Sequence, residues 1–454
     1  MLTYELKKSP GVPLYEALYR CIRGDILSGT LQPGQKLPSK RALAQNLEVS
    51  KITVETAYSQ LLSEGYIVSR EKVGYFVEEV ERHAAPQPLP VSSKETPREY
   101  LLDLTANGTE QFPFSVWSKL QREVMLDYGE TLLRPLPNRG IPELRQAIAA
   151  HLAAFRGMHV DPENILIGAG TDFLYNLLIQ LLGRDKTYAV EEPGYGKIRK
   201  IYAAGGVKCV SARMDSRGIR PEGLETADVL HFSPSHHFPS GLVTPVGRRM
   251  ELLAWAGQGD KWIIEDDYDS EFRFDSHPKP AMQSLDAKGR VIYMNTFSKS
   301  LAPSIRISYV VLPSSLMDQF QKKLGFYSCT VPSFEQYTLA RFLSRGYFEK
   351  HINRMRKFYR NRRNRVVAML KTCAFADRLT ILEQDAGLHF LVQVETALTD
   401  RELTGRLAEA GIRIRALSDY FHDRTGDRHC LVVNYSGLKE EHLESALEAV
   451  ADIM

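Results

Sequence analysis

The chain has 454 residues, ample for several hydrophobic cores, and its 58 Lys plus Arg against 55 Asp plus Glu give the nearly balanced surface of a soluble cytosolic protein. Cys21, Cys209, Cys329, Cys373 and Cys430 are far apart, odd in number and without metal-ligand spacing, which excludes a disulfide framework and reads as unpaired thiols in a reducing compartment. The N-terminus Met-Leu-Thr-Tyr-Glu-Leu-Lys-Lys lacks the apolar core of a signal peptide, and no run approaches about 18 apolar residues, so a cytoplasmic location without membrane contact is expected.

The first element is a helix over Pro13–Gly29, with Leu14, Leu18, Ile22 and Ile26 at helical spacing and a glycine stop. Leu31–Pro38 reads as a turn. Ser39 caps a short helix over Lys40–Leu47, and Ser50 caps a second helix to about Glu64. In the latter Val54, Ala57, Tyr58, Leu61 and Leu62 share a face, leaving Thr53, Thr56 and Gln60 towards solvent or a ligand. Gly65–Val77 alternates about a charged, glycine-containing turn, the pattern of a β-hairpin. This order makes a winged helix-turn-helix. Glu48, Glu55, Glu64, Glu71, Glu78 and Glu79 keep bulk charge from pointing to DNA; Lys36, Lys40, Arg41 and Lys51, clustered at helix starts, do point there. The run Lys36-Leu-Pro-Ser-Lys-Arg-Ala-Leu-Ala44 and the later Glu64-Gly-Tyr66 closely resemble the GntR class of bacterial regulators over about residues 11–79. That resemblance implies a double-stranded DNA operator. It puts Ser50, Lys51, Thr53 and Thr56 at the start of a recognition helix in the major groove, has Ser39, Lys40 and Arg41 hold phosphates, and places Arg70 and Lys72 on the wing. The head is thus assigned to residues 1–80. The stretch 81–100, rich in proline and polar residues and without periodicity, reads as an extended linker.

Beyond it, Ile165–Leu182 reads as an apolar strand, a glycine turn and an amphipathic helix whose free N–H groups favour an anion. Val190-Glu-Glu-Pro-Gly-Tyr195 ends a strand in a tight turn and presents an aromatic ring at the sheet edge where ligands bind. In Trp262-Ile-Ile-Glu-Asp-Asp-Tyr268 an apolar strand runs into acids too strongly charged to lie unpaired in a core. Val291–Arg306 places Lys299 just past a buried strand, with Thr296, Ser298 and Arg306 at offsets suited to a phosphate. A desolvated lysine there suits a Schiff base with an aldehyde. Taken singly, each segment also fits a structural role. In this order, with Arg139-Gly-Ile-Pro-Glu-Leu-Arg145 before them, they closely resemble fold-type I, class I aminotransferases, which use pyridoxal 5'-phosphate. The resemblance implies that Lys299 forms the Schiff base, Asp266 pairs with the pyridine nitrogen, Tyr268 binds the ring hydroxyl and Tyr195 stacks on the ring, while Gly170, Thr171, Thr296, Ser298 and Arg306 bind the phosphate.

The expected fold class is therefore α/β multidomain: the winged head, a mixed-sheet large domain over 101–325 with the cofactor site, and an α+β small domain over 326–454. The basic helix Tyr347–Lys371 reads as a solvated face rather than a second DNA surface. The fusion as a whole resembles the MocR/GabR family of bacterial transcription regulators, in which the aminotransferase-like part senses a small molecule and supplies a head-to-tail homodimer. Two departures bear on the choice between regulator and enzyme. Aminotransferases usually carry Asn-Pro-x-Gly where this chain has Phe238-Pro-Ser-Gly241, and Asp419 stands in Ala416–Phe421, where GABA-responsive relatives carry an arginine. Arg413, Arg415 and Arg428 remain candidates for an effector carboxylate. Three readings follow: a regulator sensing a small amino compound, with at most partial transamination chemistry; a regulator sensing pyridoxal phosphate itself to control vitamin B6 supply; and an active aminotransferase with a DNA-binding head.

Overall fold

The computed structural model describes residues 2–4, 13–71, 73–79, 100–108, 110–274, 279–382, 386–422, 426–451 and 453. Two compact units divide the chain, residues 1–97 and 98–454. The expected linker falls almost wholly on 80–99, outside the described residues.

In the head, α1 (Leu14–Ser28) stops at Gly29, whose φ of 81° is the left-handed conformation glycine adopts without steric cost. Helices α2 (Lys40–Asn46) and α3 (Lys51–Ser63) begin at Ser39 and Ser50, whose hydroxyls accept from the Ala42 and Thr53 N–H groups at 3.2 and 3.1 Å. The hairpin pairs β1 (Ile67–Arg70) with β2 (Gly74–Val77) in antiparallel register. Leu18, Ile22, Leu43, Val54, Ala57, Tyr58, Leu61, Ile67 and Val77 form one buried core. This is the expected winged helix-turn-helix.

The body is organised by an eight-stranded sheet. Its order runs Ile165–Gly168, Ser308–Val311, Val291–Thr296, Trp262–Asp266, Val229–Phe232, Thr187–Glu192, Lys208–Asp215 and Gly218–Ile219. The five strands from Val291–Thr296 to Lys208–Asp215 are mutually parallel, while Ser308–Val311 runs against both its neighbours. The central parallel strands are largely apolar because both faces are covered: Leu166, Leu174, Ile264, Ile292 and Phe320 pack on one side, and Leu252, Trp255, Ile263 and Met282 on the other. The small domain carries a four-stranded antiparallel sheet of Leu379–Leu382, His389–Val394, Cys430–Asn434 and Arg415–Ala416. Helices Tyr347–Thr372, Asp400–Glu409 and Leu443–Ala451 complete it.

Packing divides the body differently from the expected cut at residue 325. Val331, Tyr337, Phe342, Phe348 and Ile352 belong to a large-domain core with Trp117, Leu144 and Tyr309. Conversely Leu102 and Leu104 lie in the small-domain core, where Leu102–Asp103 pairs in parallel with Ile412–Arg413. The long helix Tyr347–Thr372 thus starts on one core and finishes on the other. Its basic residues form only in part the solvated face expected from the charge pattern: Arg354, Lys357, Arg360 and Arg365 are exposed, whereas Arg356 is half-buried and Arg362 and Arg363 are buried. Arg356 and Arg360 donate to the carbonyls of Glu271 and Phe274, and Arg362 donates to the Ser436 carbonyl at 2.7 Å and to Glu110 at 2.8 Å. Carbonyls with unfilled lone pairs drew the guanidinium groups inward. Among the described residues, the cysteines are free and no helix is long and apolar enough to cross a membrane.

Candidate functional site

Six strands, Ile165–Gly168 among them, run towards one edge of the large sheet, and the cofactor residues singled out from sequence follow or end these strands or precede the antiparallel Ser308–Val311. Alternation along Trp262–Asp266 and beyond separates the three acids. Glu265 turns to one face and accepts from the N–H groups of Met282 and Gln283, at 2.8 and 3.0 Å. Asp267 turns the same way, ion-paired with Arg156 at 3.1 Å and accepting from Tyr293 Oη at 2.6 Å. Asp266 alone faces the other way. Its Oδ2 accepts from Tyr175 Oη at 2.7 Å and lies 3.4 Å from His231 Nε2, whose Nδ1 is 2.6 Å from Tyr202 Oη. Its Oδ1 is buried without a hydrogen-bond partner, the situation of a carboxylate that lacks a cationic N–H donor.

Met294, five residues before Lys299, lies opposite Asp266 in the parallel ladder. Thr296 caps the short helix Phe297–Ser300, accepting from Ser298 N at 3.2 Å. Lys299 on that turn donates to Asn107 Oδ1 at 2.6 Å. Burial depresses the Lys299 pKa, and the charge of Asp269 opposes the shift, so the neutral amine is more accessible than in water. Asp269 in turn holds His236 Nδ1 at 2.8 Å, and Tyr268 Oη lies 3.3 Å from the same nitrogen.

Arg306 has a φ of 52°, a left-handed conformation rare outside glycine, which marks a position held by its surroundings. Its guanidinium lies 3.4 Å from both the Ala169 carbonyl and Asp172. A Cβ at Gly170 would come within 2.3 Å of Arg306 Nη2, so only glycine lets the guanidinium settle against the start of helix Thr171–Leu182. Free backbone donors, an arginine and the Thr296 and Ser298 hydroxyls together suit a phosphate monoester. Tyr195 is half exposed and meets the Phe238 ring edge-on at 6.0 Å. Phe238 itself packs against His389 and Tyr420. The donor set fits pyridoxal phosphate: an unsatisfied carboxylate for the ring nitrogen, a phenol for the ring oxygen, a desolvated lysine and an anion cradle.

Sequence reasoning missed Tyr175, His231, Tyr202, Asn107, His236 and Asp269. A histidine inside the apolar run Val229-Leu-His-Phe232 was a readable sign; Asn107, 192 positions from its lysine partner, left none. Of the arginines proposed for an effector, Arg413 lies 3.5 Å from Asp103, Arg428 stacks on Phe421, and exposed Arg415 neighbours Tyr420.

In the head, Ser39, Arg41, Ser50, Lys51, Thr56 and Arg70 are exposed and Thr53 partly so. Lys40 pairs with Glu55 at 2.7 Å, and Arg70 stacks on Phe76 at 4.6 Å. Lys72 lies outside the described residues.

Residues 14–77 match the bacterial regulatory proteins of the gntR family, and residues 100–450 match aminotransferase class I and II. The HTH-type transcriptional regulator YdeL of Bacillus subtilis is 36% identical, with 98% of each chain covered. The probable rhizopine catabolism regulatory protein MocR of Rhizobium meliloti is 33% identical over 98% of this chain and 94% of its own. This chain is a MocR-type transcriptional regulator. A further relative, the HTH-type pyridoxine biosynthesis transcriptional regulator PdxR of Corynebacterium glutamicum, is 31% identical over 95% of this chain and 94% of its own. The fold of the body is that of the aminotransferases: an archaeal alanine:glyoxylate aminotransferase superposes with a TM-score of 0.70 at 24% identity, covering 79% of this chain and 91% of that one. In this MocR-type regulator the fold thus unites a gntR-type DNA-binding head with an aminotransferase-like body.

Proposed function

We propose that this regulator holds pyridoxal phosphate at the sheet edge, senses a small amino compound there, and passes the change to a head that binds a double-stranded DNA operator. The observation that carries the reading is the buried, unpartnered Asp266 Oδ1 on the strand beside the one leading to Lys299. Bound pyridoxal phosphate supplies an aldehyde for amines and a ring that withdraws electrons while its nitrogen is protonated. Asp266 keeps the proton on that nitrogen, with Tyr175 and His231 fixing the carboxylate. Tyr268 donates to the ring oxygen, Tyr195 covers the ring, and Gly170, Thr171, Thr296, Ser298 and Arg306 bind the phosphate. Lys299 offers a readily deprotonated amine, and Asn107 receives it when it is displaced by an amine effector.

The regulator acts as a head-to-tail homodimer whose two heads contact two half-sites. Phe114, Leu126, Leu133 and Phe326 on the body, each more than 70% exposed, support a covered surface there. Sustained transamination is not expected, since Phe238 stands where aminotransferases present an amide donor. A second reading, sensing of pyridoxal phosphate itself, is favoured by two ties: Arg413 is held by Asp103 and Arg428 by Phe421, and neither is needed if no effector carboxylate binds. Borohydride reduction followed by peptide mapping, then an absorbance titration with amines and amino acids, tests both. The main reading expects the label on Lys299 and a spectral change with at least one amine. A label on another lysine sinks both readings; a label on Lys299 with no amine response, and DNA binding governed by pyridoxal phosphate alone, selects the second.

A further inference from the structure

The head spends its apolar side chains on its own core with one conspicuous departure. On α3, Val54, Ala57, Tyr58 and Leu61 are fully buried, yet Ile52 in the first turn is 74% exposed, well above Leu27 at 41% or Val73 at 52%. Isoleucine gains nothing in the first turn of a solvated helix, where it is a mediocre helix former and leaves apolar surface in water.

The polar groups around it are already engaged. Thr53 Oγ1 lies 2.8 Å from Ser50 Oγ, and Thr56 Oγ1 donates to the Ile52 carbonyl at 2.9 Å. Glu55, which would otherwise accept from a cytosine amine, is tied to Lys40 at 2.7 Å. Lys51 is exposed in the same turn and Arg41 at the start of α2, and free N–H groups and positive charge at helix starts suit the DNA backbone. The first turn of α3 therefore approaches the duplex with cations at its edges and a branched hydrocarbon in front. In the major groove the apolar feature that distinguishes one base pair from another is the thymine C5-methyl group.

We propose that Ile52 reads a thymine C5-methyl group in the major groove and is a determinant of base preference. The proposal rests on the head being a DNA reader, and the experiment separates the two. Sites are selected from randomised duplexes with the full-length protein, and each thymine of the selected site is replaced in turn by deoxyuridine, which lacks only the methyl group. Affinities are measured for the unmodified protein, Ile52→Val and Ile52→Ala at one salt concentration. At one position the loss of the methyl should weaken the unmodified protein roughly three- to tenfold, weaken Ile52→Val by a similar factor, and leave Ile52→Ala unchanged. Equal methyl dependence in the unmodified protein and Ile52→Ala at every position, or no methyl dependence at all, overturns the Ile52 assignment alone. Failure of the full-length protein to bind any duplex at low salt overturns the reading of the head as well.

Discussion

The head and the body hold their functional groups in opposite ways. In the body, Asp266, Tyr268 and Lys299 are placed by strand ends and by partners far away in sequence: Tyr175, His236 and Asn107. In the head, most of the groups assigned to DNA stand exposed at helix starts or on the hairpin, and their partners come from the head itself, as Thr53 does for Ser50 and Glu55 for Lys40. The small-molecule site proposed for the body needs desolvation and fixed partners. A surface that meets a polyanion needs reach and exposure instead. The comparison predicts that body substitutions act through chemistry and pKa, and head substitutions through local helix stability and salt.

The largest effect is expected at Lys299. Lys299→Ala should remove borohydride-stable cofactor labelling altogether while leaving effector-free DNA affinity nearly unchanged; loss of DNA binding in this variant would break the separation of roles. Asp266→Ala should weaken cofactor binding by about 3–5 kcal/mol, because a buried ion pair loses one member, a change that equilibrium dialysis resolves.

Glu271 gives the body a pH dependence of its own. Burial, then the charge of Asp267, raises its pKa to about 8 from an ordinary 4.5. Between those values the folded protein holds a proton that the unfolded chain has released, so stability falls as pH rises through the window. Thermal melts of Glu271→Gln should match the unmodified protein below about pH 4.5 and exceed it above about pH 8. Identical pH profiles would show that Glu271 is ionised at little cost.

Smaller effects belong to the head. Ser50→Ala should cost it about 1 kcal/mol through the lost cap of α3, read by its denaturant midpoint. Arg41→Ala should weaken binding to all sequences alike and reduce the salt slope by about 1; a sequence-selective loss would instead place Arg41 at a base edge.

The head was legible almost to the residue because caps, apolar spacing and a hairpin turn are local signals. At the body's site the motifs pointed to residues that the fold brings to one sheet edge, but not to how they are held. Glu265, Asp266 and Asp267 look equivalent in a row of acids; the pleat turns the outer two to one face, where backbone amides and Arg156 hold them, and the middle one to the other, beside Tyr175 and His231. The basic helix was legible only in part, for a related reason. Charge on a helix reads as solvation until the carbonyls of Glu271, Phe274 and Ser436, all distant in sequence, are found beneath it. The division of the body at 325 failed similarly, since the long helix Tyr347–Thr372 packs on two cores.

In the proposed regulator, chemistry at Lys299 governs the head. The most direct test of this claim is DNA affinity of the full-length protein loaded with pyridoxal phosphate, measured with and without an amine found active by absorbance, alongside Lys299→Ala treated identically. The amine should shift affinity or the footprint of the unmodified protein and leave Lys299→Ala unmoved. An equal shift in both would contradict the claim.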